Sequence, residues 1–248
     1  LVAKFAIGAI LGILVGRIFG PAGILGISSM AIICAVTNSN GSVYYALMQT
    51  YGDDIDCACM PILAINDGPF LTLVALGASG LADIPIMSLV AALVPIIAGM
   101  ILGNLDNKVT EFFGPVGDAI IPFTGFSLGA GIDLANVLKG GVSGIVLGLI
   151  TIFIGGGFIY LCDHFIGRRP GYAAWAVATT AGNAVAVPAV IGTADPAWAE
   201  FVGTATVQVA ASTVLSALLV PFIVSWWAKK FGCPKFPKEA KAEKASGK

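Results

Sequence analysis

The chain has 248 residues, 57% of them hydrophobic and 11% charged, with a mean hydropathy of +0.93, whereas a soluble domain carries about 25% charged residues. Thirteen Lys and Arg against fourteen Asp and Glu leave a net charge of −1, which gives no basis for nucleic-acid binding. What remains is an all-α polytopic membrane protein whose partners are the lipid bilayer and whatever passes through it.

Runs of about 20 apolar residues predict eight spans, at approximately 1–20, 24–50, 57–80, 84–103, 115–134, 140–162, 171–194 and 198–228. Leu1 already lies inside the first run, with no initiator Met and no signal-peptide n-region, so the start is expected to be missing. The second span is interrupted by Thr37-Asn38-Ser39-Asn40-Gly41, and the seventh by Thr179-Thr180-Ala181-Gly182-Asn183. A chain in hydrocarbon tolerates such a break only where it is buried in protein or lines a cavity. Asn40 and Ser42 can cap the half-helix Val43–Thr50, and Asn183 the one that starts at Ala184. If the two broken elements cross, helix N-termini that favour an anion and carbonyl ends that favour a cation converge. Tyr44 directly follows the first break and is a candidate pocket residue.

In the third span, Asp67 within Asn66-Asp67-Gly68-Pro69 is the carboxylate nearest a span centre. Such a group is protonated, paired or functional, and can load and release a proton, or it can simply hold the backbone beside Pro69. The fifth span carries Thr124 and Ser127 on one helical face, either lining a cavity or bonding back to their own helix. Gln208 in the eighth span is an uncharged counterpart of Asp67, suited to a helix–helix bond or a substrate contact. No Lys or Arg is expected mid-span, so dipoles and amides would have to neutralise an anionic substrate.

Loop charges orient the chain. With the Lys-rich end in the cytoplasm, that side receives Lys4, Lys108, Arg168, Arg169 and seven lysines of 229–248; the other receives Arg17 and Lys139. The tail lacks an apolar face and is expected to be disordered. The tryptophans suit interfacial belts.

The two breaks also align. Asn40 precedes the next span, near Cys57, by 17 residues, and Asn183 precedes its next, near Ala199, by 16. The broken elements are spans two and seven, and an odd offset of five reverses membrane orientation, which is an inverted repeat. The second unit, 84–228, holds five spans and the first, 1–80, only three. Two further spans are therefore expected ahead of residue 1, making eight present of ten.

No nucleophile–base constellation, zinc-binding His pair or nucleotide-binding loop occurs. An enzyme is not expected, no cofactor is needed, and an ion gradient rather than ATP is the expected driver. A membrane sensor or intramembrane enzyme is the competing class.

The tract from Ser39 to Gly52, with Gly68-Pro69, Leu102-Gly103-Asn104-Leu105-Asp106, Glu111-Phe112-Phe113, Ile121-Pro122-Phe123, Leu128-Gly129 and Ile132-Asp133-Leu134, resembles bacterial 2-keto-3-deoxygluconate permeases over essentially residues 1–230. The resemblance implies a bile-acid/sodium symporter-like fold of ten spans with two crossed broken helices. It also implies proton symport of an anionic sugar acid in the bacterial inner membrane, with sodium coupling and another organic anion as the alternative. On this view Asn38, Asn40, Ser42, Tyr44, Thr124, Thr180, Asn183 and Gln208 contact substrate, and Asp67 couples the proton. The chain departs from the family pattern in having Asp67 where a Glu stands, no acid near Thr37, and Asn183 in a break that is otherwise serine- and alanine-rich.

Overall fold

The computed structural model describes residues 1–66, 68–113, 115–116 and 134–237. Asp67, residues 117–133 of the fifth expected span with Thr124 among them, and the last eleven residues lie outside them. The described chain is helical, with no strand beyond two isolated bridges, Ile24 to Ile27 and Cys233 to Phe236.

In chain order the helices are α1 (Val2–Phe19), α2 (Ser29–Thr37), α3 (Gly41–Tyr51), α4 (Asp54–Ala58), α5 (Met60–Ala64), α6 (Pro69–Ser79) and α7 (Ile86–Leu105). After a helical stretch at 107–113 come α8 (Leu134–Leu149), a π-helical stretch Ile150–Gly155 and α9 (Gly156–Phe165). They are followed by α10 (Tyr172–Val177), a 3-10 turn Asn183–Ala186, α11 (Val187–Ala194), a second 3-10 turn Pro196–Trp198 and α12 (Ala199–Phe231). Among the described residues, four stretches are long and apolar enough to cross a membrane: Val2–Phe19, Ile86–Leu105, Gly141–Phe165 and Pro196–Phe231. Both expected breaks are present, between α2 and α3 and between α10 and α11. The expected continuous span 57–80 is itself divided into α5 and α6, because the residue before Pro69 is pushed out of helical geometry and Gly68 is extended.

The helices are patterned for lipid. On α12, Ser212, Ser216, Val220, Val224 and Ala228 are buried at four-residue spacing, while Val214, Leu218, Phe222 and Trp226 are exposed at the same spacing. Polar hydroxyls face inward and large apolar side chains outward, the reverse of a helix in water. α1 repeats the arrangement: Ile10, Leu14 and Ile18 are exposed, and Gly8, Gly12 and Gly16 are buried.

Small residues set the approach distances. A Cβ on Gly8 would lie 2.5 Å from the Thr37 backbone nitrogen, and one on Gly12 2.0 Å from Ile33 Cγ1. The α1 backbone therefore abuts the end of the α2 backbone at Gly8 and the Ile33 side chain at Gly12. On the other side, Gly144 and Gly148 of α8 press against Ala211 and Leu215 of α12. The π-helical stretch sets Gly155 against Val36 at the end of α2 and Gly156 against Ala178 at the end of α10. An extra residue in that turn thus turns two glycines in succession toward the two breaks.

The expected disordered tail is corrected for its first part. Lys229 and Lys230 belong to α12, Cys233 is buried, and Phe236 meets Tyr51 at 6.0 Å between ring centroids. Trp198 and Trp175 are also buried rather than set in an interfacial belt, and the indole of Trp198 donates to the Leu81 carbonyl at 3.2 Å.

Candidate functional site

The two interruptions lie against each other. α2 ends at Thr37, Asn38 is extended, and Asn40 starts α3 as its cap, its Oδ1 accepting from the Val43 amide at 3.0 Å. The Asn40 amide donates to the Thr179 hydroxyl at 2.9 Å, and the Thr180 hydroxyl donates to the Ala35 carbonyl at 3.1 Å. Two pairs of residues some 140 positions apart thereby join break to break.

The second break is braced by α12. The Thr180 amide donates to Ser216 Oγ at 2.9 Å, Thr180 Oγ1 and Ser212 Oγ are 2.7 Å apart, and the Thr213 hydroxyl donates to the Ala181 carbonyl at 3.1 Å. The first break is held by α6 and the segment before it. Asn38 Nδ2 donates to the Cys34 carbonyl at 2.8 Å and to Thr72 Oγ1 at 3.1 Å, Thr37 and Thr72 share a bond of 3.1 Å, and Asn66 Nδ2 donates to the Thr37 carbonyl. Asn38, Ser39, Asn66, Thr179 and Thr180 are all fully buried. Asn38 Oδ1, Ser39 Oγ and Asn66 Oδ1 nevertheless have no hydrogen-bond partner among the described residues. A buried polar atom left unpaired costs about 1–3 kcal/mol, so three together in one place call for a function.

The expected site residues divide accordingly. Asn38, Asn40 and Thr180 come together at the meeting point. Ser42 does not cap: it sits inside the first turn of α3, exposed, because Asn40 already occupies the cap position. Asn183 does not cap either, since it lies within the 3-10 turn after Gly182 and is exposed. Tyr44 is buried but donates to the Asp56 carbonyl at 3.0 Å. Gln208, one helical turn before Ser212, ties α12 to the α1–α2 loop and to α8. Its Nε2 donates to the Gly26 carbonyl at 2.6 Å and to Ser143 Oγ at 2.9 Å, and its Oε1 has no partner among the described residues. It also borders a cleft of about 740 Å³ whose rim includes Glu200 and Thr204. Asp67 and Thr124 lie outside the described residues.

Sequence reasoning missed three features. Lys4, assigned above to the cytoplasmic flank, is fully buried, and its ammonium donates to the Thr179 carbonyl at 2.9 Å. Lys4 stands in the first turn of α1, not mid-span, yet it brings a cation to the breaks: it is one turn from Gly8, and Gly8 touches the end of α2. Ser212 and Ser216 were legible only as small residues in an apolar run. The third feature is a charged cluster at the far ends of the broken elements. Asp56, capped reciprocally with Asp53, is buried and bonded by Arg169, and the Tyr172 hydroxyl donates to its Oδ2 at 2.6 Å. Burial opposes the charge of Arg169, but its bonds to Tyr172 and the charge of Asp56 outweigh that and hold its pKa above the ordinary value.

A family model described as 2-keto-3-deoxygluconate permease matches residues 1–233. The chain is 48% identical over 227 residues to 2-keto-3-deoxygluconate permease 1 of Salmonella typhimurium, covering 92% of this chain and 71% of that protein. It is 35% identical over 235 residues to the 2-keto-3-deoxygluconate permease of Bacillus subtilis, covering 93% of this chain and 71% of the relative. No solved structure matches it.

Proposed function

Since the chain belongs to the 2-keto-3-deoxygluconate permease family, we propose that it is a secondary active transporter that carries 2-keto-3-deoxygluconate, or a closely related sugar acid, by proton symport across the bacterial inner membrane. A permease family and a set of apolar spans make it a bacterial membrane transporter rather than an enzyme. The observation that carries the mechanism is the meeting of two unwound segments with three unpaired polar atoms on one side of it. Sugar hydroxyls both donate and accept, and would satisfy Asn38 and Ser39 where the protein does not.

In this reading Asn38 and Asn40 shape the binding region, Thr180 and Tyr44 support it from behind, and Ser42, Asn183, Thr124 and Gln208 border the path to it. Asp67 takes up and releases the coupling proton, since a carboxylate in a low-dielectric interior is easily converted between its two forms. The two breaks belong to inverted repeats, and the C-terminus is cytoplasmic. The support is the matching spacing of the breaks and the charge bias of the loops. Alternating access is a rocking of the broken pair against the remaining bundle.

A second reading, sodium coupling, draws on the same unpaired atoms: Asn38 Oδ1, Ser39 Oγ and Asn66 Oδ1 are all oxygens, the ligand type a hard cation takes. Labelled 2-keto-3-deoxygluconate and protein in proteoliposomes separate the readings. An inward proton gradient without sodium should drive accumulation, and Asp67→Asn should abolish it while leaving exchange. Accumulation driven by sodium alone would transfer coupling to the oxygen cluster, and absence of uptake with either ion would remove this substrate.

A further inference from the structure

Lys4 is the one fully buried Lys or Arg among the residues whose burial is described. Of the others, Arg169 pairs with Asp56, Arg17 donates to the Ser79 carbonyl at an exposed position, and Lys108 is exposed. Lys4 has no carboxylate partner among the described residues. Its ammonium offers three N–H donors, and the acceptor it meets is the Thr179 carbonyl at 2.9 Å. Isolated charge inside a membrane is expensive, and where it is found it marks a path or a ligand.

Its position specifies the ligand. Thr179 accepts from Lys4 through its carbonyl and from the Asn40 amide through its hydroxyl. A single residue therefore links the cation to both breaks. Along α1, Lys4 stands one turn from Gly8, whose backbone abuts Thr37 at the end of α2. The unpaired Asn38 Oδ1 and Ser39 Oγ belong to the next two residues of that chain. Positive charge with spare donors, linked through Thr179 to the break whose neutral oxygens have spare capacity, fits a ligand that is a carboxylate at one end and hydroxylated at the other.

We propose that Lys4 is the counter-charge for the carboxylate of the transported sugar acid, a specificity-determining residue that selects acids over uncharged sugars. The inference rests on the transport reading above. The substrate carboxylate takes the donors that Thr179 leaves free, while Asn38 and Ser39 receive hydroxyls. An ammonium fixed by a carbonyl of the second break also reports substrate binding to the element that must move.

The test is counterflow exchange of labelled 2-keto-3-deoxygluconate, which needs no gradient, with unlabelled 2-keto-3-deoxyglucose as a competitor that carries an aldehyde in place of the carboxylate. In the wild-type protein the acid should compete at least about 100-fold better than the aldehyde, the size of effect seen when a buried charge loses its partner. Lys4→Met should raise the half-saturation concentration of the acid by about 100-fold and bring the two competitors within about 3-fold of one another. Lys4→Arg, which keeps the charge and guards against loss of folding in the first variant, should preserve the preference for the acid. A wild-type protein that does not discriminate overturns the inference, as does Lys4→Met with an unchanged half-saturation. Loss of proton-driven accumulation with normal exchange in Lys4→Met also overturns it, because the lysine would then carry the proton. A folded wild-type protein that neither binds nor exchanges the acid overturns the transport reading and this inference together.

Discussion

The two helix breaks are built from similar residues and are finished differently. At the second, Thr180 uses both its amide and its hydroxyl on Ser212, Ser216 and Ala35, and the carbonyls of Thr179 and Ala181 are taken by Lys4 and Thr213. At the first, Asn38 and Asn66 each spend their amide nitrogens on backbone or Thr72 and leave their carbonyl oxygens unpaired, along with Ser39. A saturated break is a structural joint, whereas an unsaturated one has capacity for something that comes and goes. The difference separates support from reception in a crossing that looks symmetrical in the sequence.

Five substitutions sharpen or break this distinction. The largest effect is expected where the two elements share a support. Asp56→Ala strips Arg169 and Tyr172 of their partner and should lower stability by about 3 kcal/mol, at the low end for a buried pair because Arg169 is one-third exposed. Thermal unfolding in detergent measures it, and a loss below about 1 kcal/mol would mean that the cluster does not tie the elements together.

Next comes the saturated break. Thr180→Val keeps the shape, removes the hydroxyl and should cost about 2 kcal/mol of stability, with little change in half-saturation for exchange in the folded fraction. Asn38→Ala should do the reverse, raising half-saturation about 10-fold with a smaller loss of stability. If the two variants behave alike, the division between support and reception fails. The smallest effects belong to Ser42→Ala and Asn183→Ala, both exposed and neither a cap, with stability within about 0.5 kcal/mol of wild type. A Ser42 or Asn183 variant that loses more would restore the capping role that sequence reasoning assigned.

Much of the fold was legible because hydropathy and helix breaking are local. α1, α7, α12 and both interruptions fall where runs of apolar residues and the tracts around Asn38 and Thr180 place them. The split between α5 and α6 also had a signal in Gly68-Pro69, outweighed by a run long enough to span. Lys4 was misplaced for a different reason: counting charges near span ends treats every lysine there as a flank, and depth depends on which backbone carbonyl it meets. That carbonyl belongs to Thr179, 175 residues away. The Asp56–Arg169 pair is equally non-local, and the roles of Ser212 and Ser216 depend on facing Thr180. At the site, the broken backbone could be read from composition, but the allocation of donors and acceptors could not.

The shortness of α2 bears on how the protein is made. At nine residues it rises roughly 14 Å, less than half of the roughly 30 Å hydrocarbon thickness, so it cannot settle in a bilayer as an independent inserted segment. The polar turn that follows it finds one of its partners, Thr179, only after 139 more residues have left the ribosome. At roughly 5–20 residues per second this is a wait of roughly 7–28 s with Asn38, Ser39 and Asn40 inside or beside the membrane and incompletely bonded. During that interval an unfinished chain exposes the polar groups that later meet the second break, and it depends on the insertion machinery or on α1, already made and matched to α2 by its glycines, to hold it in place.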